Sequence, residues 1–157
     1  KLYLINQELE QIRTTVFRQL MFAEFELYTH ESFEKGIPLT AEDYNAKWHE
    51  LNVKYFGPEM VVDSEIDVEW SRIPHFYSDF YVYQYATGYA AASAFAKSIL
   101  NKEPNAVEKY VGFLKSGGSD YPIEILKKAG VDMTTPKPLE ATVDRFNELL
   151  DMLEKEI

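Results

Sequence analysis

Val16-Phe17-Arg18-Gln19-Leu20-Met21-Phe22-Ala23-Glu24-Phe25-Glu26-Leu27-Tyr28 is the stretch on which the fold turns. Its apolar residues do not keep to one stripe. A helix apolar on several faces is covered by more than one neighbour, which is the signature of a packed helical interior. Upstream, Leu2, Ile5, Leu9, Ile12, Val16 and Leu20 step at three or four residues. The spacing predicts one helix over 2–35, about 50 Å long at ~1.5 Å per residue. Gly36 and Pro38 mark its end. Beyond them, Thr40 reads as an N-cap with Glu42 and Asp43 in the first turn of a helix running to about Phe56. Gly57-Pro58 stops that helix. Residues 59–74 read as irregular.

A second long helix is expected from Phe76 to Asn101, then one from Pro104 to Lys115. A turn over Ser116-Gly117-Gly118-Ser119-Asp120 leads to a short helix holding Pro122 and ended by Gly130. The last helix, about 138–155, is amphipathic through Leu139, Val143, Phe146, Leu150 and Leu153. No stretch reads as a convincing strand. The expectation is an all-α helical bundle, a single helical domain over 1–157.

Composition narrows the function. The 157 residues carry 16 Lys plus Arg against 26 Asp plus Glu, a net charge of −10. An acidic surface repels phosphate backbones, which argues against nucleic acid as a partner. Hydrophobic residues make up 46%, enough to fold rather than stay disordered. No run approaches the roughly 18 apolar residues of a membrane span. There is no cysteine, which removes disulfides, thiolate metal ligands and cysteine nucleophiles together, and fits a cytoplasmic setting. The opening Lys1-Leu2-Tyr3-Leu4-Ile5 is too short and too soon polar for a signal peptide. Lysine, not methionine, at the first position suggests a piece of a longer chain.

Several motifs begin and fail. His30-Glu31 and His49-Glu50 both start like HExxH, but the second histidine is replaced by Glu34 and Val53. Asp63, Glu65, Asp67 and Glu69 alternate like calcium-loop ligands, yet Val68 stands where Gly is needed and Pro74 where a bidentate Glu is needed. They read instead as a solvated acidic edge with Ile66 and Val68 turned inward. Ser116-Gly117-Gly118-Ser119 has neither the lysine nor the preceding strand of a phosphate loop.

One constellation survives: His75-Phe76-Tyr77-Ser78-Asp79-Phe80-Tyr81-Val82-Tyr83-Gln84-Tyr85-Ala86-Thr87-Gly88. On a helix, Tyr77, Tyr81 and Tyr85 fall within roughly 80° of one another, while Phe76, Phe80, Tyr83 and Thr87 share another face. Buried phenols want hydrogen-bond partners and phenyls do not. Three phenols on one stripe, with His75 just ahead, make a cleft wall or a packed face.

Four segments resemble the C-terminal part of oligoendopeptidase F, a zinc peptidase of the thimet-oligopeptidase type. They are Arg18 to Glu26, Glu69-Trp70-Ser71-Arg72-Ile73-Pro74-His75-Phe76-Tyr77, Tyr81-Val82-Tyr83-Gln84-Tyr85-Ala86-Thr87-Gly88, and Phe113-Leu114-Lys115-Ser116-Gly117-Gly118-Ser119-Asp120. The resemblance runs over nearly the whole chain. It implies a share in a larger helical, zincin-like clamshell that hydrolyses short oligopeptides. It implies Zn2+ on ligands upstream of this chain and none within it. It further implies that His75 and Tyr81 bind substrate and steady the developing oxyanion, with Tyr77 and Tyr85 as further substrate contacts; Tyr83 is the alternative phenol. On this reading the missing upstream polypeptide is the chain's partner and the chain alone is inactive. The competing reading is a free-standing acidic helical module that binds a partner without catalysis.

Overall fold

Thr40 caps its helix as expected: its Oγ1 accepts the Asp43 N–H at 3.3 Å, and Asp43 Oδ2 accepts the Thr40 N–H at 2.8 Å. This reciprocal box satisfies two orphan donors at a helix start. The computed structural model describes residues 1–156, and no strand occurs among them. The helices are α1 (Leu2–Ile12), α2 (Arg18–Glu34), α3 (Ala41–Phe56), α4 (Tyr83–Leu100), α5 (Ala106–Ser116), α6 (Pro122–Lys128) and α7 (Lys137–Glu154). A 3-10 segment, Ser64–Arg72, fills much of the stretch read as irregular, and a second, Pro74–Tyr77, follows it. The fold is all-α.

Two compact units divide the chain: Arg13–Ala86, and Lys1–Ile12 together with the chain from Thr87 onward. In the first, α2 and α3 pack on each other and the longer 3-10 segment packs on α3. Its core is Met21, Phe22, Phe25, Trp48, Leu51, Ile73 and Val82. Aromatic rings dominate it. Phe25 meets Trp48 edge to face at 5.0 Å and 85°, and Phe76 does the same to Trp48 at 6.0 Å and 85°. Such pairs each add about 0.5–1.5 kcal/mol beyond the area they bury. Helix α2 ends in a Schellman turn. Gly36, at φ 69°, gives its N–H to the Phe33 carbonyl, and Ile37 gives its own to Ser32. The left-handed conformation there is one that glycine adopts without Cβ strain.

In the other unit α1 packs on α7 and α5 on α6. Arg145 clamps Glu8 through two bonds, Nε to Oε1 at 2.7 Å and Nη2 to Oε2 at 2.8 Å. A separate core gathers Ala91, Phe95, Ala129 and Val131, with Tyr110 and Phe113 against Phe95.

Three expectations are corrected. The helix read over 2–35 is interrupted by a π-turn at Arg13–Phe17. Crowding among the β-branched Thr14, Thr15 and Val16 disfavours regular winding there, and the Gln19 side chain donates to the Thr14 carbonyl at 3.3 Å. The helix placed from Phe76 starts only at Tyr83. A helix begun at Phe76 would hand the Phe80 N–H to the Phe76 carbonyl. That N–H goes instead to Glu26 Oε1 at 2.9 Å, and Phe80 adopts φ 49°. The acidic edge is not uniformly solvated: Glu69 is buried, while Val68 is exposed. Glu69 turns inward because two arginines meet it there, with Arg18 at 2.6 Å and Arg72 at 2.5 Å, both on Oε1.

Candidate functional site

The 3-10 turn Pro74–Tyr77 carries His75 and is planted in the core by Phe76, which touches Phe22, Phe25 and Trp48. Just upstream, the segment Ser64–Arg72 is tied to α3 by two side-chain bonds. Asp67 meets His49 Nδ1 at 2.7 Å, and Trp70 donates to Asn45 at 2.8 Å. The two abortive HExx starts are thereby accounted for. His49 pairs with Asp67, and His30 packs its ring on Phe80 at 4.4 Å.

Downstream, Gln84 donates its N–H to the Tyr81 carbonyl and Tyr85 donates to Val82. These i to i+3 bonds lead the chain into α4 and keep Tyr81 one turn below Tyr85. The Tyr81 ring lies nearly parallel to the His75 imidazole, 5.8 Å apart at 11°. Tyr85 stands edge-on to both, at 5.4 Å from Tyr81 and 6.1 Å from His75. The Tyr85 hydroxyl donates to the Tyr81 oxygen at 3.2 Å. That bond, then burial, pushes the Tyr85 phenol above its ordinary range. A Tyr81 oxygen that accepts one bond keeps its own proton to give away, and accepting polarises it toward stronger donation. Within this chain Tyr81 is 40% exposed.

The structure therefore brings His75, Tyr81 and Tyr85 together. It does not bring Tyr77 to them as a helical stripe, because Tyr77 ends the 3-10 turn and residues 78–82, which separate it from α4, are not helical; Tyr77 is 88% exposed on the turn. Tyr83 is at the first position of α4 and also exposed. One residue beneath the cluster went unremarked in the sequence. Glu26, only 2% exposed on α2, receives the Phe80 N–H. Burial pushes its carboxyl up, against the opposing pull of that bond. The signal that could have found it is a glutamate set in the multi-faced apolar stretch of α2.

Among the described residues no group of three or more His, Asp or Glu side chains stands together to hold a metal ion. No described helix is long and apolar enough to cross a membrane.

The described residues thus form an all-helical chain with an imidazole and two hydrogen-bonded phenols gathered in one place. Comparison with known proteins shows the family. Residues 1–145 match the model of peptidase family M3, and the chain belongs to that family. It is 56% identical over 155 residues to oligopeptidase PepF of Bacillus subtilis, covering 99% of this chain and 23% of that protein. It is 45% identical over 152 residues to the plasmid oligoendopeptidase F of Lactococcus lactis subsp. cremoris, covering 97% of this chain and 25% of that one. The crystal structure of oligoendopeptidase-F from Enterococcus faecium superposes with a TM-score of 0.95 at 52% identity, over 98% of this chain and 30% of that one. The chain thus spans about a quarter of the length of these curated relatives.

Proposed function

We propose that residues 1–157 form one region, the C-terminal part of the catalytic domain, of a cytoplasmic zinc metalloendopeptidase that hydrolyses short oligopeptides. The observation that carries this is the cluster of His75, Tyr81 and Tyr85, joined by ring contacts and one hydrogen bond, in a chain of the M3 family. Tyr81 takes a bond from Tyr85 and is left with a proton to donate. In this role it donates to the scissile carbonyl oxygen as negative charge builds on it. His75, stacked on Tyr81, donates to the peptide beside it, and Tyr85 orients Tyr81. Tyr77 reaches the substrate from the adjoining turn. The zinc, which polarises the carbonyl and activates water when bound, has no ligand set among the described residues. We place it on the remainder of the polypeptide, and the chain's own contribution is the peptide-facing wall.

The test compares two proteins on a fluorogenic octapeptide and on a folded protein. The complete polypeptide is expected to cleave the octapeptide, to stop when zinc is chelated, and to leave the folded protein intact. The 157-residue chain alone is expected to cleave neither. Peptide cleavage by the chain alone, or chelator-resistant cleavage by the complete polypeptide, would overturn the reading.

A further inference from the structure

The segment Asp79–Val82 has no regular element to hold it. It follows a 3-10 turn and precedes the first residue of α4. It nevertheless carries the phenol on which the proposed function depends. Two contacts from α2 fix it, one helical turn apart. Glu26 Oε1 accepts the Phe80 N–H at 2.9 Å, and the His30 ring packs on the Phe80 ring at 4.4 Å. Phe80 sits at φ 49°, a left-handed conformation that an aromatic residue adopts only where its surroundings enforce it. The next residue is Tyr81, and after it Val82 is fully buried. Phe80 is thus held on one side of Tyr81 and Val82 on the other.

We propose that Glu26 is a positioning residue for the reaction: its carboxylate, through the Phe80 N–H, holds Tyr81 against His75 in the orientation that faces substrate. Glu26 touches neither phenol and acts through the backbone. The bond is part-buried, and a backbone donor shielded from water needs a partner that no helix supplies at this point. The side chain is the acceptor that replaces the missing helical carbonyl. This rests on the reading of Tyr81 as the carbonyl donor.

The experiment is a double-mutant cycle in the complete enzyme, with octapeptide turnover, zinc content and amide hydrogen exchange at residues 78–82 as readouts. Glu26→Leu removes the acceptor and is expected to lower kcat by about 10- to 100-fold with KM little changed, because an interaction felt only at the reacting centre is lost. Exchange of the Phe80 amide should rise at least about tenfold as its partner goes. Glu26→Gln keeps an acceptor oxygen at the same reach and should retain protection and at least about a third of kcat. In a Tyr81→Phe background, Glu26→Leu should cost less than about threefold more, because the two act as one unit.

Full kcat in Glu26→Leu, a Gln variant as impaired as Leu, or losses that multiply in the double mutant would each overturn the proposal. If Glu26→Leu does not fold, His30→Ala at the half-exposed site against Phe80 takes its place in the cycle. It has an expected loss of about threefold that likewise vanishes in Tyr81→Phe. Full turnover in Tyr81→Phe alone sinks the reading of Tyr81 and this proposal with it. An impaired Tyr81→Phe beside an unimpaired Glu26→Leu sinks only the role of Glu26.

Discussion

Phe76→Ala is the perturbation with the most legible consequence. Phe76 follows His75 and packs its ring at 5.7 Å from Phe22, 5.3 Å from Phe25 and 6.0 Å from Trp48. Truncating a buried phenylalanine costs about 3–5 kcal/mol. Phe76 is only half-buried, so the low end applies, about 3 kcal/mol. Phe76→Leu keeps most of the volume and loses the ring pairs, which sets its cost at about 1–2 kcal/mol. Against a typical total of ~5–15 kcal/mol the alanine variant is severely weakened but still folds. The assay is urea unfolding of the 157-residue chain followed by tryptophan fluorescence. Both tryptophans, Trp48 and Trp70, belong to the core that Phe76 joins, so the signal reports on that unit. With a slope of ~1–3 kcal/mol per molar urea, the midpoint should fall by about 1–3 M for alanine and roughly half as much for leucine. Tyr77→Ala, one residue on and 88% exposed, should cost less than about 0.5 kcal/mol. Equal effects from Phe76→Ala and Tyr77→Ala would refute the packing argument.

Three further outcomes follow from the charges. Burial first, then its bond to Glu24, pushes the Tyr55 phenol up to about 12, so stability should be complete below pH 10 and fall as pH climbs from 10 toward 12, where the unfolded chain gives up that proton more readily. Spectrophotometric titration should show the Tyr55 step moving down in Glu24→Gln. The raised Glu26 carboxyl works in the same sense: stability is lost as pH rises above its ordinary range, so Glu26→Gln should match the parent in acid and exceed it at neutral pH in thermal melts. Arg145→Ala, which unclamps α7 from α1, should cost about 1 kcal/mol or less, since both partners are more than a third exposed, and the loss should shrink in high salt.

The parts of the fold set by near neighbours were readable. Thr40 with Asp43 announces a cap, and the three-to-four spacing of α7 lies in the sequence itself. What escaped depends on partners far along the chain. The start of α4 moves from 76 to 83 because Glu26, 54 residues away, captures the Phe80 N–H, and no periodicity contains that bond. Glu69 turns inward because Arg18, 51 residues upstream, meets it. The Tyr81–Tyr85 neighbourhood is expected from a helix that, in the structure, begins only at Tyr83 and so does not contain Tyr81. It survives because the turn leading into α4 preserves the same phase, whereas Tyr77, ahead of Phe80, loses it. The histidine and the two phenols were therefore visible as a group. The glutamate that holds their backbone was not, because a buried carboxylate declares its function only through its partner.

The claim at the centre is that Tyr81 gives its proton to the substrate carbonyl. Turnover of the octapeptide by Tyr81→Phe in the complete enzyme tests it most directly. Losing one preorganised donor should lower kcat by about 10²–10³-fold with zinc content and KM nearly unchanged. A Tyr81→Phe enzyme with the parent's kcat would contradict the account.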